Sequence, residues 1–192
     1  MLVTGHQKEE VQKEIDILKD KYHVKFRTIE NKRYSTTNTS YSVYLATLKE
    51  DDDLLIINGD NLVDKKIISG VLKTPGTALV VDNTKKLNHE SFKIKIERQK
   101  IIEIGKHIPC ETASGEFIGI SKVSRKDLPQ FRSILKSLMD EDPQNYYDTA
   151  YQELSKNSKV NYFYTDGLKW TEIDDHTDWQ YAQKLVKELN RK

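Results

Sequence analysis

The sequence predicts an α/β fold, with a mixed, mainly parallel sheet, helices on both faces and an antiparallel extension. Two observations carry this. Up to Asp82, short apolar runs alternate with segments of helical spacing, the signature of parallel strands joined by crossover helices. From Phe92 onward the pattern changes to two alternating strands close enough to form a hairpin. The length of 192 residues fits one domain, 1–192, and no Pro/Ser-rich linker divides it.

The elements follow in order. Leu2-Val3-Thr4-Gly5 is a short apolar stub. The helix after it places Val11, Ile15 and Leu18 at spacings of four and three. Val24 to Ile29 alternates and reads as a strand. A polar loop from Glu30 to Thr39 precedes a short helix through Val43, Leu45, Ala46 and Leu48. Asp53 to Ile57 is apolar on consecutive residues and reads as a central strand buried on both faces. Val63 to Leu72 is a second crossover helix, stopped near Thr74-Pro75-Gly76, and Ala78 to Asp82 is the next strand. Phe92 to Ile96 and Lys100 to Ile104 form the hairpin, and residues 117–123 a further strand. Ser124 is positioned to cap a helix from Arg125 to about Met139. Tyr146 to Leu154 is another helix, Val160 to Tyr164 and Leu168 to Ile173 are late strands, and an amphipathic helix carries Trp179, Ala182, Leu185, Val186 and Leu189.

Composition removes several functions. With 31 Lys+Arg against 30 Asp+Glu the net charge is +1, which argues against a nucleic-acid coat. No apolar run approaches the ~20 residues of a membrane helix. Cys110 is the single cysteine, so an intrachain disulfide and a cysteine zinc site are excluded. No signal peptide is evident, and a reducing, cytoplasmic setting is expected. The five histidines are scattered. No Gly-x-Ser-x-Gly, Walker A or GxGxxG segment occurs. Tyr146-Tyr147, Tyr162 and Tyr164 read as core aromatics before they read as base-stacking platforms.

Four places offer chemistry. Ile57-Asn58-Gly59-Asp60-Asn61 follows a buried strand, where ligands of open α/β sheets bind. Gly59 permits close approach there, and Asp60 offers a hard carboxylate to a hydrated Mg²⁺ bridging phosphates. The plain alternative is a turn and helix cap. Trp170-Thr171-Glu172-Ile173-Asp174-Asp175 again ends a strand in acids, so Asp60 and Asp174 together would make a Mg²⁺ clamp. Capping by Asp174 or Asp175 is its alternative. Glu116, between Gly115 and Gly119, suits a hydroxyl-bearing or cationic group of a second substrate, or is a surface acid beside a bend. The Asn31–Ser42 loop is rich in amides and hydroxyls that suit a base and ribose, as loops often are.

These pieces, in this order, resemble the sugar-phosphate nucleotidyltransferase family, and within it the cytidylyltransferase branch acting on phosphocholine, inositol phosphate or related phosphates. The matching residues are Val3-Thr4-Gly5, Asn31 with Tyr34 and Asn38, Ile57-Asn58-Gly59-Asp60, Gly105-Lys106, Gly115-Glu116-Phe117-Ile118-Gly119-Ile120, and Trp170-x-Glu172-Ile173-Asp174 with Asp178. The resemblance implies a Rossmann-like nucleotidyltransferase fold. It implies transfer of a nucleotidyl group from an NTP, CTP favoured, to a small phosphomonoester with release of pyrophosphate. Carried over by position, Asp60 and Asp174 bind Mg²⁺, and Asn38, Gly59 and Asp60 lie at the nucleotide. Lys106, Gly115, Glu116 and Glu172 lie at the acceptor, whether phosphocholine, inositol phosphate or a sugar phosphate. No catalytic residue is assigned.

One family feature is missing from these 192 residues: the opening strand with its Gly-x-Gly-x-Arg loop and Lys-Pro segment. The sequence begins at what resembles the family's second strand, so the expectation is a fold truncated at its N-terminus and inactive or nearly so alone. Three readings follow. The chain is a shortened enzyme, half of a split enzyme whose sheet a partner chain completes, or a non-catalytic nucleotide- or sugar-phosphate-binding module. Open sheet edges favour association, including a homo-oligomer. Asp51-Asp52-Asp53 superficially offers a glycosyltransferase metal motif but stands at the wrong end of its strand.

Overall fold

The computed structural model describes residues 1–190. Strand β1 (Leu2–Thr4) leads into helix α1 (Lys8–Tyr22), and strand β2 (Thr28–Glu30) into α2 (Thr39–Thr47). Strand β3 (Leu54–Ile57) is followed by β4 (Asn61–Val63), α3 (Lys65–Lys73) and β5 (Ala78–Asp82). The hairpin is β6 (Lys93–Glu97) and β7 (Lys100–Gly105), turned by Arg98 and Gln99 at φ 47° and 62°. Strand β8 (Gly115–Val123), α4 (Leu128–Glu141), α5 (Thr149–Ser155), β9 (Asn161–Tyr164), β10 (Trp170–Glu172) and α6 (His176–Leu189) complete the chain.

The main sheet runs β7-β6-β8-β5-β9, with β3 on the other flank of β8. Strands β3 and β5 both oppose β8, and β9 is parallel to β5, so β3, β5 and β9 share one direction. Strands β1 and β2 pair in parallel as a separate two-stranded sheet. Alternation along β5 builds both layers. Leu79 and Val81 face the larger core of α4, α5 and the aromatics Phe117, Phe131, Tyr147 and Tyr151. Ala78 and Val80 face a smaller core with Ile67 and Val71 of α3 and Ile118 and Ile120 of β8. Helices therefore cover both faces, as the sequence predicts. The C-terminal end of α3 is closed by Lys122, whose Nζ donates to the carbonyls of Leu72 and Thr74.

Four local expectations need correction. Residues 24–27 are not strand; the ladder with the three-residue β1 starts only where the Leu2 amide donates to the Arg27 carbonyl, at 2.8 Å. Strand β3 is not central. It pairs on one edge alone, so Leu54, Leu55 and Ile56 are half-buried and Ile57 is 46% exposed. Asp60 and Asn61 do not cap α3; Asp64 does, accepting from the Lys66 amide at 2.9 Å. Ser124 lies three residues before the Asp127 cap of α4, and its hydroxyl donates instead to the Asp127 carboxylate at 2.8 Å.

Candidate active site

The functional rim is built where β3 and β5 end and the antiparallel β8 begins. Asn58 follows β3, Asp82 closes β5, and the register places Asp82 opposite Glu116. Two contacts require glycine here. A Cβ on Gly115 would stand 2.5 Å from the Asp82 carbonyl oxygen. Gly119 sits at φ +72°, and a Cβ there would come within 2.4 Å of the Asn58 amide. That close approach lets the Asn58 amide donate to the Gly119 carbonyl at 2.9 Å and the Asn61 side chain donate to the Ile118 carbonyl at 2.9 Å.

A two-stranded ribbon that the sequence reading missed joins the segments that carry Asp60 and Asp174. Strands β4 and β10 pair antiparallel, with Asn61 opposite Glu172, and the Ile173 amide donates to the Asp60 carbonyl at 3.0 Å. Asp60, Glu172 and Asp174 thus share one end of this ribbon. Asp175, not Asp174, caps α6 in a capping box with Asp178, so Asp174 stands exposed beside the cap. Gly59 faces open space, with nothing within 4 Å of where a Cβ would sit.

Lys85, Asp148 and Tyr147 belong to the rim and were not singled out for chemistry. Lys85 places Nζ 3.0 Å from Glu116 and 4.9 Å above the Trp170 ring. Trp170 is held by Asp82, which accepts from its indole N–H at 2.5 Å. Tyr147 is core, as its type suggests, yet its hydroxyl donates to the side-chain oxygen Oδ1 of Asn58 at 3.0 Å. A cavity of about 420 Å³ opens between Lys85, Trp170, Glu172 and Asp174.

Like charges dominate the rim. Burial raises the Glu172 carboxyl above the ordinary range; Glu116, Asp60 and Asp174 push it the same way, against Lys85. Burial pushes Asp148 up to about 7, with Glu172 adding to the shift and Lys106 opposing it. Asp148 Oδ1 has no hydrogen-bond partner among the described residues. Lys106 is exposed and pairs with Glu90 at 3.0 Å. Asn38 caps α2, its side-chain oxygen accepting from the Thr39 amide at 2.8 Å. Asp51, Asp52 and Asp53 sit before β3, at the opposite end from Asp60. Among the described residues, no group of three or more His, Cys, Asp or Glu is arranged to hold a metal ion by itself. No described helix is long and apolar enough to cross a membrane.

No family model and no curated protein matches the sequence. Solved structures do match in fold. The inositol-1-phosphate CTP transferase from T. maritima is 18% identical with a TM-score of 0.77, over 97% of this chain and 75% of that one. The CTP:phosphocholine cytidylyltransferase from Streptococcus pneumoniae is 20% identical with a TM-score of 0.70, over 92% and 75%. A UTP-bound UGPase from Acinetobacter baumannii is 14% identical with a TM-score of 0.66, over 92% and 67%. At these identities the likeness is one of architecture, and the chain shares the Rossmann-like nucleotidyltransferase fold of these enzymes.

Proposed function

We propose that this protein is of nucleotidyltransferase type, transferring a nucleotidyl group from an NTP, CTP favoured, to a small phosphomonoester. Phosphocholine, inositol phosphate and sugar phosphates are the acceptor class. The acceptor phosphate oxygen attacks the α-phosphorus in line, the bond to the β-phosphate oxygen breaks, and pyrophosphate leaves. The observation that supports the reading is the β4–β10 ribbon, whose end carries Asp60, in register with Ile173, and on either side of Ile173 the acids Glu172 and Asp174.

The donor set fits Mg²⁺. That ion takes one or two carboxylates and completes its shell with waters and substrate phosphates, so the two exposed acids Asp60 and Asp174 suffice without a third protein ligand. When bound, Mg²⁺ would neutralise charge on the phosphates. The open space at Gly59 admits the nucleotide's phosphates, and Asn38 belongs to the Asn31–Ser42 segment that would meet base and ribose. Lys106, Gly115, Glu116 and Glu172 serve the acceptor, with Lys85 as the additional cation at its phosphate. The names of two similar structures, one a CTP transferase for inositol-1-phosphate and one a phosphocholine cytidylyltransferase, support the cytidine preference.

A second reading is a module that binds the nucleotide or the sugar phosphate without turnover. Pyrophosphate release measured with each NTP and each acceptor separates the two. Calorimetric nucleotide titration tests the site itself: Asp60→Ala with Asp174→Ala should abolish Mg²⁺-dependent binding. Unchanged binding in that double variant removes the metal assignment.

A further inference from the structure

We propose that Lys93 is a positioning residue for the acceptor site: it pins the strap of residues 83–92 across β8 and so holds Lys85 at Glu116 and Trp170. This rests on the reading of the rim given above, in which Lys85 meets the acceptor's phosphate.

Lys93 is 1% exposed. Its Nζ donates to two backbone carbonyls, of Asn88 at 3.1 Å and of Ser91 at 2.9 Å, rather than to a carboxylate. Burying an ammonium is costly even when its protons are taken up, and an apolar side chain would fill the same space without that cost. What the charge adds is a grip on main chain that no apolar residue supplies.

The register shows what is gripped. Asp82 of β5 stands opposite Glu116 of β8, and Lys93 of β6 stands opposite Glu116 from the other side. Directly opposed residues share a face, so these three buried residues form one row across the sheet. Residues 83–92 link the two ends of the row and pass β8 at the level of Glu116. Their contacts with Glu116 and with the Lys93 side chain put them on that face.

The strap is pinned at both ends by opposite chemistry. At its start the Asp82 carboxylate accepts from the Thr84 and Lys85 amides at 2.7 and 3.2 Å. At its end the Lys93 ammonium takes the carbonyls of a turn that the Asn88 side chain folds, accepting from the Glu90 and Ser91 amides at 2.9 and 3.0 Å. Between the pinned pieces lie Lys86 and Leu87. Without the Lys93 contacts the span free of the sheet grows to residues 86–91, up to the Phe92 carbonyl, which accepts from the Phe117 amide at 2.8 Å.

Lys85 depends on that span. Its Nζ is 3.0 Å from Glu116 and 4.9 Å above the Trp170 ring, yet its side chain is 44% exposed. A long exposed side chain keeps one geometry at an entropic cost, and a held backbone lowers that cost. The same strap carries Glu90, whose carboxylate lies 3.0 Å from Lys106. One buried lysine therefore governs the charges set against both Glu116 and Lys106, two residues assigned to the acceptor.

The test uses the intact chain. Trp179→Phe leaves Trp170 as the single tryptophan, so its emission reports the cation above its ring. In that background Lys85→Met should shift the emission, and Lys93→Met should reproduce most of the shift while circular dichroism stays unchanged. Calorimetric titration with phosphocholine, inositol phosphate and glucose 1-phosphate reads the acceptor. We expect both variants to weaken the best-binding acceptor several-fold and Lys93→Met to leave Mg²⁺-dependent CTP binding unchanged. Should Lys93→Met fail to fold, Asn88→Ala loosens the same turn from an exposed position and must shift the emission in the same direction. No shift with Lys85→Met, or a shift that the folded Lys93→Met or Asn88→Ala does not follow, overturns the proposal. So does equal loss of CTP and acceptor binding in Lys93→Met, which marks Lys93 as a general packing residue. If the emission follows Lys93 but Lys85→Met changes no acceptor's binding, the reading of the rim fails while the placement of Lys85 by Lys93 stands.

Discussion

Asp82, buried, and Asp148, half-buried, are acids near the functional rim, and they are treated in opposite ways. Asp82 accepts from the Thr84 amide and hydroxyl at 2.7 and 2.8 Å, the Lys85 amide at 3.2 Å, the Thr165 hydroxyl at 3.1 Å and the Trp170 indole at 2.5 Å. Burial pushes its carboxyl up, but the donors from Thr84, Trp170 and Lys85 outweigh burial and hold it below the usual range. Asp148 has an unpartnered oxygen and a neighbouring acid, and its carboxyl is pushed up to about 7. A saturated carboxylate organises its surroundings and has nothing left to offer a ligand. An unsaturated one destabilises the empty protein and is free to accept a substrate's donor.

The largest expected effect tests the first half of that contrast. Asp82→Ala strands the indole N–H and two hydroxyls at once, so it should cost about 3 kcal/mol in urea unfolding. Asp82→Asn keeps part of the acceptor capacity and should cost less. If the alanine variant unfolds at the wild-type urea midpoint, Asp82 is not the organiser of this end of the sheet.

Gly119→Ala comes next. It forces a side chain onto a backbone at φ +72° and into the Asn58 amide, so a loss of about 2 kcal/mol is expected. The damage should concentrate at Asn58 and Asn61, which hydrogen exchange can localise. Uniform weakening of the whole fold would instead mark Gly119 as a general packing position.

The same contrast explains what the sequence made legible. Elements with a strong period were readable: β5 as a buried run, the β6–β7 hairpin as alternation, α1 and α6 as apolar stripes. Position after a strand was enough to single out Asp60 and Asp174, and Glu116 was singled out at a strand start between Gly115 and Gly119. What escaped depended on partners. Strand β4 has three residues, too few for a period, and exists because β10 lies beside it. Consecutive apolar residues in β3 look the same whether one edge or both are paired, so its flank position was invisible. Lys85 gains its meaning only where β5 and β8 bring Glu116 and Trp170 to it. Asp148 is in sequence an ordinary acid before a helix, and only burial beside Glu172 makes it unusual.

The last effect is the most specific, because it changes sign relative to most acids. The folded Asp148 carboxyl titrates near 7, above its ordinary value of 3.8, so between these two pH values the folded state holds more protons than the unfolded one. Its contribution to stability is therefore present at low pH and is lost as pH rises toward and through about 7. Asp82 and Asp127, both lowered, contribute the opposite slope, so the wild-type melting curve alone will not isolate the effect. The difference between wild type and Asp148→Asn does. The variant's advantage over the wild type should be small at pH 5, where only the unfolded carboxyl is ionised and the loss has just begun, and largest at pH 8, where the native group is charged and unpartnered. If the gain at pH 8 disappears when NTP and acceptor are added to both proteins, the ligand supplies the donor that Asp148 lacks. If the gain is the same at every pH, the carboxyl is not held neutral by its surroundings, and the contrast with Asp82 reduces to a difference in hydrogen-bond number.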